Sequence, residues 1–202
     1  MKRVFIGVAL GLAGLLIAPP VWAGSIDTAF IEAAWPKQWV HEYEVGTDTV
    51  RWRQKASRAE GIFAGAGFVA PTDLQKTWEL STSYADLGPM TPGVNAVTIV
   101  EETENRRVIA IDLKVLWKDL HLVFEVEQEP PKAVRFRMVH DIIGDYRGVC
   151  WLESAEGGGT HVELATWLKP SVNVPSRLVL WVERSVMLKG IRNFLIEVDK
   201  TG

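Results

Sequence analysis

The chain contains 202 residues, of which 48% are hydrophobic, and it carries a formal net charge of −3. This length suits one domain that buries a continuous core, and the negative charge argues against a nucleic-acid partner. Cys150 is the single cysteine, which excludes an intramolecular disulfide. Stability must therefore come from the packing of the core.

The first 23 residues are typical of a cleavable export signal. Lys2 and Arg3 precede an apolar run that ends at Ile17, and this run is shorter than the roughly 20 residues that span a bilayer. Val21 and Ala23 have the small or moderate side chains that signal peptidase reads, so we expect cleavage after Ala23. The scarcity of cysteine favours a bacterial periplasm as the destination. An uncleaved membrane anchor is the alternative interpretation.

Residues 24–55, which follow the signal, show an irregular pattern. We interpret them as an N-terminal extension that packs on the domain, and we place the domain itself at residues 56–202. The extension contains Trp35, Trp39 and Trp52, and the whole chain has nine tryptophans. So many large rings favour a core or a cavity lined with aromatic side chains.

A strand and a helix open the domain. Ile62–Val69 is bounded by Pro71 and predicts a first strand. Thr72 or Asp73 is positioned to cap the helix that follows. Residues 87–93 then contain two prolines and two glycines, which predicts a loop rather than a regular element.

Beyond this loop, polar and apolar residues alternate with period two, as is typical of antiparallel strands with one buried face. The alternation predicts strands over residues 94–102, 107–117, 120–127, 134–139, 145–153 and 160–168. Trp117–Asp119 is short enough to join two of these strands as a hairpin, and the glycine-rich segment 154–159 joins two others.

A helix from about Pro175 to Lys200 ends the chain and is apolar on more than one side. One apolar stripe, with two polar members, contains Leu178, Trp181, Val182, Ser185, Leu188, Arg192 and Leu195. A second stripe contains Leu180, Met187, Ile191, Phe194 and Val198. The few charges are of mixed sign, which fits a helix clasped by a sheet better than a helix on a membrane surface.

This order of elements is that of the helix-grip fold, an α+β fold in which a curved antiparallel sheet wraps around a long C-terminal helix. The segments Phe68–Asp73, Tyr84–Val94, Gly148–Glu153 and Gly159–Val162 resemble the START-like (SRPBCC) superfamily, in particular its polyketide cyclase and coenzyme Q-binding protein branch. The resemblance covers about Ala56–Lys200. It implies a cavity between sheet and helix of the kind that holds lipids, sterols, quinones, polyketides or hormones.

Residues suited to catalysis or metal binding do not form a recognisable set. No histidine has a second ligand at the spacing of a zinc site, and no serine has a nucleophile-elbow setting. His140 and Asp141 are adjacent on a strand and point in opposite directions, which opposes a catalytic dyad. Cys150 is expected to pack as a small apolar group. We therefore assign no catalytic residue, no metal site and no cofactor.

The predicted ligand cavity lies between the strands and the last helix. Its predicted lining consists of Leu122, Phe124, Phe136, Met138, Tyr146, Trp151, Leu178, Trp181, Ser185 and Leu188. Tyr146 and Trp151 fall on opposite faces of one strand, so which face looks into the cavity stays open. If Tyr146 faces inward, its hydroxyl is either a polar anchor for a ligand or a satisfied core group.

These features predict a periplasmic binding or carrier protein for a hydrophobic small molecule such as a lipid, a quinone or a sterol. We expect such a carrier to contact a membrane transiently and to bind no nucleic acid. A cyclase- or aromatase-type enzyme is the second hypothesis, which requires polar groups that converge on the cavity. The third is a ligand-free domain that binds a partner through its Trp-rich extension.

Overall fold

The computed structural model describes residues 24–35, 39–115, 118–140, 143–171 and 173–201. The predicted export signal lies outside these residues, as does the tryptophan of the first predicted hairpin. Within the described ranges, no helix combines the length and the hydropathy that a membrane crossing needs.

The described residues form one antiparallel sheet of nine strands. The strands are β1 (His41–Val45), β2 (Asp48–Ser57), β3 (Gly61–Ala70), β4 (Val94–Glu102), β5 (Arg106–Val115), β6 (Lys118–Glu129), β7 (Ala133–Met138), β8 (Gly144–Ser154) and β9 (Thr160–Pro170). They neighbour one another in the order β1-β2-β3-β9-β8-β7-β6-β5-β4. All the neighbours are consecutive in the chain except β3 and β9, which pair along nearly their whole length.

Helices cover parts of both faces of the sheet. They are α1 (Ala29–Ala34), α2 (Leu74–Ser81), α3 (Leu87–Met90) and α4 (Ser176–Thr201). The side chain of Asp73 caps α2, because it accepts a hydrogen bond from the backbone N–H of Lys76 at 2.9 Å. The long final helix and the curved antiparallel sheet confirm the predicted helix-grip fold.

The loop predicted at residues 87–93 is wrong in part. Its first four residues form α3, a single helical turn, and Gly93 follows with a positive φ of 85°. The first turn of a helix has no intrahelical partners for its N–H groups, so Pro89 does not interrupt it. The proline and glycine content therefore ended the helix after one turn rather than preventing it.

The irregular pattern assigned to residues 24–55 is also wrong, because residues 41–57 form the hairpin of β1 and β2. Val50 and Trp52 are fully buried on the inner face, while Arg51 and Arg53 point to the outer face. This is the period-two alternation of a strand. The hairpin adds two strands to the edge of the sheet, so this part of the extension belongs to the sheet itself.

Two tryptophans of the N-terminal segment pack on glycines of β3. A Cβ atom on Gly65 would collide with the ring of Trp35, and one on Gly67 would lie 2.7 Å from the ring of Trp39. The guanidinium carbon of Arg53 lies 3.6 Å from the centroid of the Trp39 ring, a close cation–π contact. The outer face of β3 is therefore covered by aromatic rings, and these rings fit only because Gly65 and Gly67 have no side chain.

Glu163 of β9 joins the same outer cluster. Its carboxylate accepts a hydrogen bond from Nε1 of Trp35 at 2.7 Å and lies 3.4 Å from the guanidinium of Arg53. Beside it, Ile31 of α1 is buried against Val149 and Ala165. The N-terminal segment thus covers the outer face of β3, β8 and β9, and Trp35 and Trp39, which the third hypothesis used as a partner-contact surface, pack within the domain.

The inner face of the sheet has two hydrophobic clusters. The first, which we call the helix cluster, packs α4 against β1, β2, β3 and β9, and its α4 members at the centre are Met187, Ile191 and Leu195. The second, which we call the sheet cluster, is built from α2, the turn at Tyr84 and the strands β4–β8. Helix α4 approaches β3 more closely than any other strand.

We expect Gly67→Ala to lower the free energy of unfolding by about 1–3 kcal/mol, because the added methyl group overpacks the ring of Trp39. In a Trp39→Ala background the same substitution should cost much less, since the obstructing ring is gone. Urea unfolding of the four proteins in this double-mutant cycle measures the coupling. Additive effects would contradict the packing of Trp39 on Gly67. Gly190→Ala, which meets no atom within 4 Å, is the control and should be neutral or stabilising.

Candidate functional site

Three aromatic rings from adjacent strands form the centre of the candidate site on the inner face. Phe124 of β6, Phe136 of β7 and Tyr146 of β8 have ring centroids 6.1 to 6.2 Å apart. The ring of Phe136 occupies the space that a side chain at Gly148 would need. Glycine at this position therefore lets the ring of Phe136 pack directly against the backbone of β8.

Apolar side chains continue from these rings toward the turn of the β5–β6 hairpin. Leu122 pairs with Ile111 across the two strands, and Leu120 pairs with Leu113. Leu122 is buried, whereas the other three are only partly buried. The sheet cluster includes no residue of α4 among the described residues. The inner face of β5–β8 is thus an apolar surface that the long helix does not close.

A carboxyl group of α4 meets this surface at Tyr146. The Tyr146 hydroxyl donates to Oε2 of Glu183 at 3.3 Å, and the hydroxyl of Thr166 lies 3.4 Å from the same oxygen. Thr166 also donates to the backbone carbonyl of Ala64 at 3.1 Å. Glu183 therefore contacts two strands, β8 in the sheet cluster and β9 in the helix cluster, and lies where the two clusters meet.

Burial shifts the titration of both groups of this pair. Loss of solvent around Glu183 raises the pKa of its carboxyl to about 7, against the hydrogen bonds from Tyr146 and Thr166, which lower it. Burial, and then the nearby Glu183, raise the pKa of the Tyr146 hydroxyl well above its ordinary value. Near neutral pH, Glu183 thus exchanges a proton while Tyr146 keeps its own.

A second polar group on the inner face is internally satisfied. Gln128 donates from Nε2 to the Tyr84 hydroxyl at 2.7 Å and accepts a hydrogen bond from Arg107. Burial raises the pKa of Tyr84 to about 12. Because each member already has a hydrogen-bond partner within the group, these side chains link the turn at Tyr84 to the sheet.

Cys150 lies on the inner face between the two clusters. Burial raises the pKa of its thiol to about 12, so the sulfur stays protonated and is a poor nucleophile at neutral pH. The packing agrees with the predicted role of a small apolar side chain. Among the described residues, no group of three or more His, Cys, Asp or Glu side chains is placed to hold a metal ion.

Half of the predicted lining lies together on the inner face. These residues are Leu122, Phe124, Phe136, Met138 and Tyr146. Trp151 does not belong to this set, because it lies with Val149 in the cluster on the outer face. The choice between the two faces of β8 is thereby decided in favour of Tyr146.

The predicted face of α4 is wrong for its first turns. Leu178 is 42% exposed and Trp181 is 49% exposed, so neither lines the inner face. Ser185 is half-buried, and Leu188 packs against the helix cluster rather than the aromatic rings. The helix turns its second apolar stripe toward the sheet instead, together with Leu188 and Leu195 from the end of the first stripe.

Glu183 was not predicted as a site residue, although the sequence contained a signal. It lies three residues after Leu180 and four before Met187, and it is therefore on the same side of α4 as the buried stripe. A carboxyl group on an otherwise apolar buried stripe is uncommon, and it marks a position with a specific partner.

The predicted opposition between His140 and Asp141 stays a prediction, because Asp141 lies outside the described residues. His121 does form a hydrogen bond to Asp112 at 2.6 Å across β5 and β6. Both side chains are more than half exposed and lie away from the aromatic rings. This pair belongs to the solvent-exposed face of the hairpin.

Two open depressions lie mainly on the outer side of the sheet. One of about 850 Å³ is bordered by Trp35, Arg53 and Glu163, and one of about 440 Å³ is bordered by Trp39 and His161. The first contains Glu163 and Arg53, which already pair with each other, and the second is also bordered by Glu163. The inner face, with its apolar surface and its one carboxyl group, is the better candidate for a small apolar ligand.

No protein-family model matches the sequence, and no curated protein matches it. Solved structures do match. The chain is similar to the ZhuI aromatase/cyclase from Streptomyces sp. R1128, with 12% identity, a TM-score of 0.60, and coverage of 68% of this chain and 93% of that one.

Two further similar structures are named for lipid transfer or for the START family. For the STAR-related lipid transfer protein fragment from Xanthomonas axonopodis, the identity is 12%, the TM-score is 0.64, and 80% of this chain and 98% of that chain are covered. For human STARD10, the identity is 8%, the TM-score is 0.65, and the coverage is 88% and 81%. The neighbours are members of the START/SRPBCC superfamily, and the fold is their helix-grip fold.

We expect Glu183→Gln to stabilise the protein at pH 8 and to have little effect near pH 4. Folding raises the pKa of Glu183 from 4.5 to about 7, so between these values the native state keeps a proton that the unfolded chain releases. The free energy of unfolding of the wild type therefore falls as the pH rises through this window. Because glutamine does not ionise, the free energy of unfolding of the Glu183→Gln variant does not fall for this reason.

Urea unfolding at both pH values measures this difference. Glu197→Gln, which alters a partly exposed carboxyl paired with Lys200 on the same helix, is the matched control. A stabilisation by Glu183→Gln that is equal at pH 4 and pH 8 would contradict a buried carboxyl that holds its proton.

Proposed function

We propose that the protein binds and carries a hydrophobic small molecule, of lipid, quinone or sterol type, on the inner face of β5–β8. The observation that carries this proposal is the group of aromatic rings of Phe124, Phe136 and Tyr146, which continues into partly buried leucine and isoleucine side chains and lies in a cluster without a described residue of α4. Apolar and aromatic side chains with one polar group beside them are the usual lining of a site for a small apolar molecule.

Removal of apolar surface from water supplies the driving force. A ligand that buries about 300 Å² of apolar surface would gain roughly 7 kcal/mol, before the costs of association are subtracted. The binding of such a molecule needs no cofactor. The names of the structural neighbours, which include a lipid transfer protein and an aromatase/cyclase, support an apolar ligand as the general class.

We propose export to the periplasm on the pattern of the first 23 residues, with Gly24 as the first residue of the mature protein. The proposed membrane contact is supported by the exposed Leu178 and Trp181 on the first two turns of α4. Tryptophan and leucine are side chains that insert at a membrane–water interface. A carrier that collects its ligand from a bilayer would need such a surface.

We expect Phe124→Asp to abolish ligand retention, because it places an unpaired charge among apolar side chains. Protein purified from its own cells would be analysed by native mass spectrometry, and bound compounds would be extracted and identified. Phe136→Ala, at a half-buried position, is the milder variant and should weaken retention without a buried charge.

Ile196→Ala is the matched control for this experiment. It removes an apolar side chain that the fold leaves exposed on α4, outside both the sheet cluster and the proposed membrane contact, so retention should not change. Normal retention by a folded Phe124→Asp variant, or a loss caused by Ile196→Ala alone, would contradict the inner-face site.

A second candidate function is catalysis of the cyclase type, and the pair of Tyr146 and Glu183 favours it. A carboxyl whose pKa is about 7 next to a protonated phenol can move a proton at neutral pH. If the protein is such an enzyme, Tyr146→Phe should reduce turnover of a linear polyketide analogue to near background while apolar binding persists. Equal turnover in the variant would remove Tyr146 from the chemistry.

A further inference from the structure

Glu183 presents one carboxyl oxygen without a partner at the edge of the apolar surface. Both of its hydrogen-bond contacts, from Tyr146 and Thr166, go to Oε2. The other oxygen, Oε1, has no hydrogen-bond partner among the described residues, and it is not among the atoms sealed from solvent. A molecule bound beside Tyr146 can therefore reach it.

No cation neutralises this carboxyl within the described part of the chain. The groups that face it are the phenol of Tyr146 from β8 and the hydroxyl of Thr166 from β9, with the carbonyl of Ala64 behind. Arg184, the next residue of α4, donates instead to the Tyr43 hydroxyl at 3.1 Å. The local field at Oε1 is therefore that of an uncompensated carboxyl group.

This arrangement distinguishes between ligand head groups. A ligand hydroxyl can pair with Oε1 in either protonation state of Glu183, because it donates a hydrogen bond to the carboxylate and accepts one from the protonated carboxyl group. A ligand carboxylate has no proton to donate, and it meets a like charge at low dielectric whenever Glu183 is ionised. A buried like-charge pair is costly because neither charge is paired.

We infer that Glu183 is a specificity-determining residue that selects apolar molecules with a neutral hydroxyl group, an alcohol or a phenol, over those with a carboxylate. This inference rests on the proposed function, since it concerns the same inner-face site. Tyr146 positions the carboxyl through Oε2, so that Oε1 is the oxygen left for a ligand.

Competition between two matched probes tests the inference. Nile red, a neutral apolar dye, reports occupancy of the inner face, and 1-octanol and octanoate compete for it at pH 8.5. We expect 1-octanol to displace the dye at about tenfold lower concentration than octanoate. The reason is that the hydroxyl of 1-octanol donates one hydrogen bond to the charged Glu183, whereas the carboxylate of octanoate is repelled by it. In Glu183→Gln this preference should fall to about twofold or less.

The pH dependence of the preference for 1-octanol over octanoate is a second readout, because a variant that had merely lost structure would not show it. At pH 6 Glu183 is mostly protonated while octanoate is still ionised, so the preference of the wild type should narrow. In Glu183→Gln the preference should be the same at pH 6 and pH 8.5. Tyr146 holds its proton throughout this range and contributes no change.

Glu197→Gln, with the same chemical change on an exposed part of α4, should keep the full preference at pH 8.5. Nile red binding with equal displacement by the two probes, or a preference that survives Glu183→Gln, would overturn the inference and leave the apolar site intact. Failure of Nile red to bind the wild type would instead overturn the proposed function, and the inference with it.

Discussion

The architecture depends on close approach at β3, where small residues occupy both faces of one central strand. Ala64 and Ala66 face inward and let α4 seat its stripe of Met187, Ile191 and Leu195, while Gly65 and Gly67 face outward and admit two tryptophan rings. A strand with larger side chains would hold both layers away. Because β3 pairs with β9, this contact also joins the start of the domain to its end.

The position of the helix determines where a ligand can bind. Since α4 is drawn to β3, the inner face of β5–β8 keeps its aromatic and branched side chains without α4 over them, and only α2 and the turn at Tyr84 pack there. Glu183 and Tyr146 meet where the part of the sheet that α4 covers gives way to the part that it does not. The site therefore combines a large apolar surface with one carboxyl group, which is the composition expected of a pocket that orients a mostly apolar molecule.

The sequence predicted the strands well because each has one buried face, so polarity alternates along it. Leu122, Phe124 and Met138 were placed on the inner face by that alternation alone. The same rule was available for Val50–Arg53, but the many charges around that segment obscured it. The packing of Trp35 and Trp39 on Gly65 and Gly67 was not predictable, because it joins two segments that only the sheet brings together.

Composition and periodicity by themselves determined the order of the elements, from which the fold class was recognised, the long final helix and four residues of the inner face, because these follow from local patterns of polarity. Tertiary structure alone decided the rotation of α4, since two apolar stripes left its buried side ambiguous until contact with β3 selected the second stripe with the C-terminal part of the first. It also decided that Tyr146 rather than Trp151 faces inward. The role of Glu183 depended on both choices, because its carboxyl reaches Tyr146 only in that rotation and on that face.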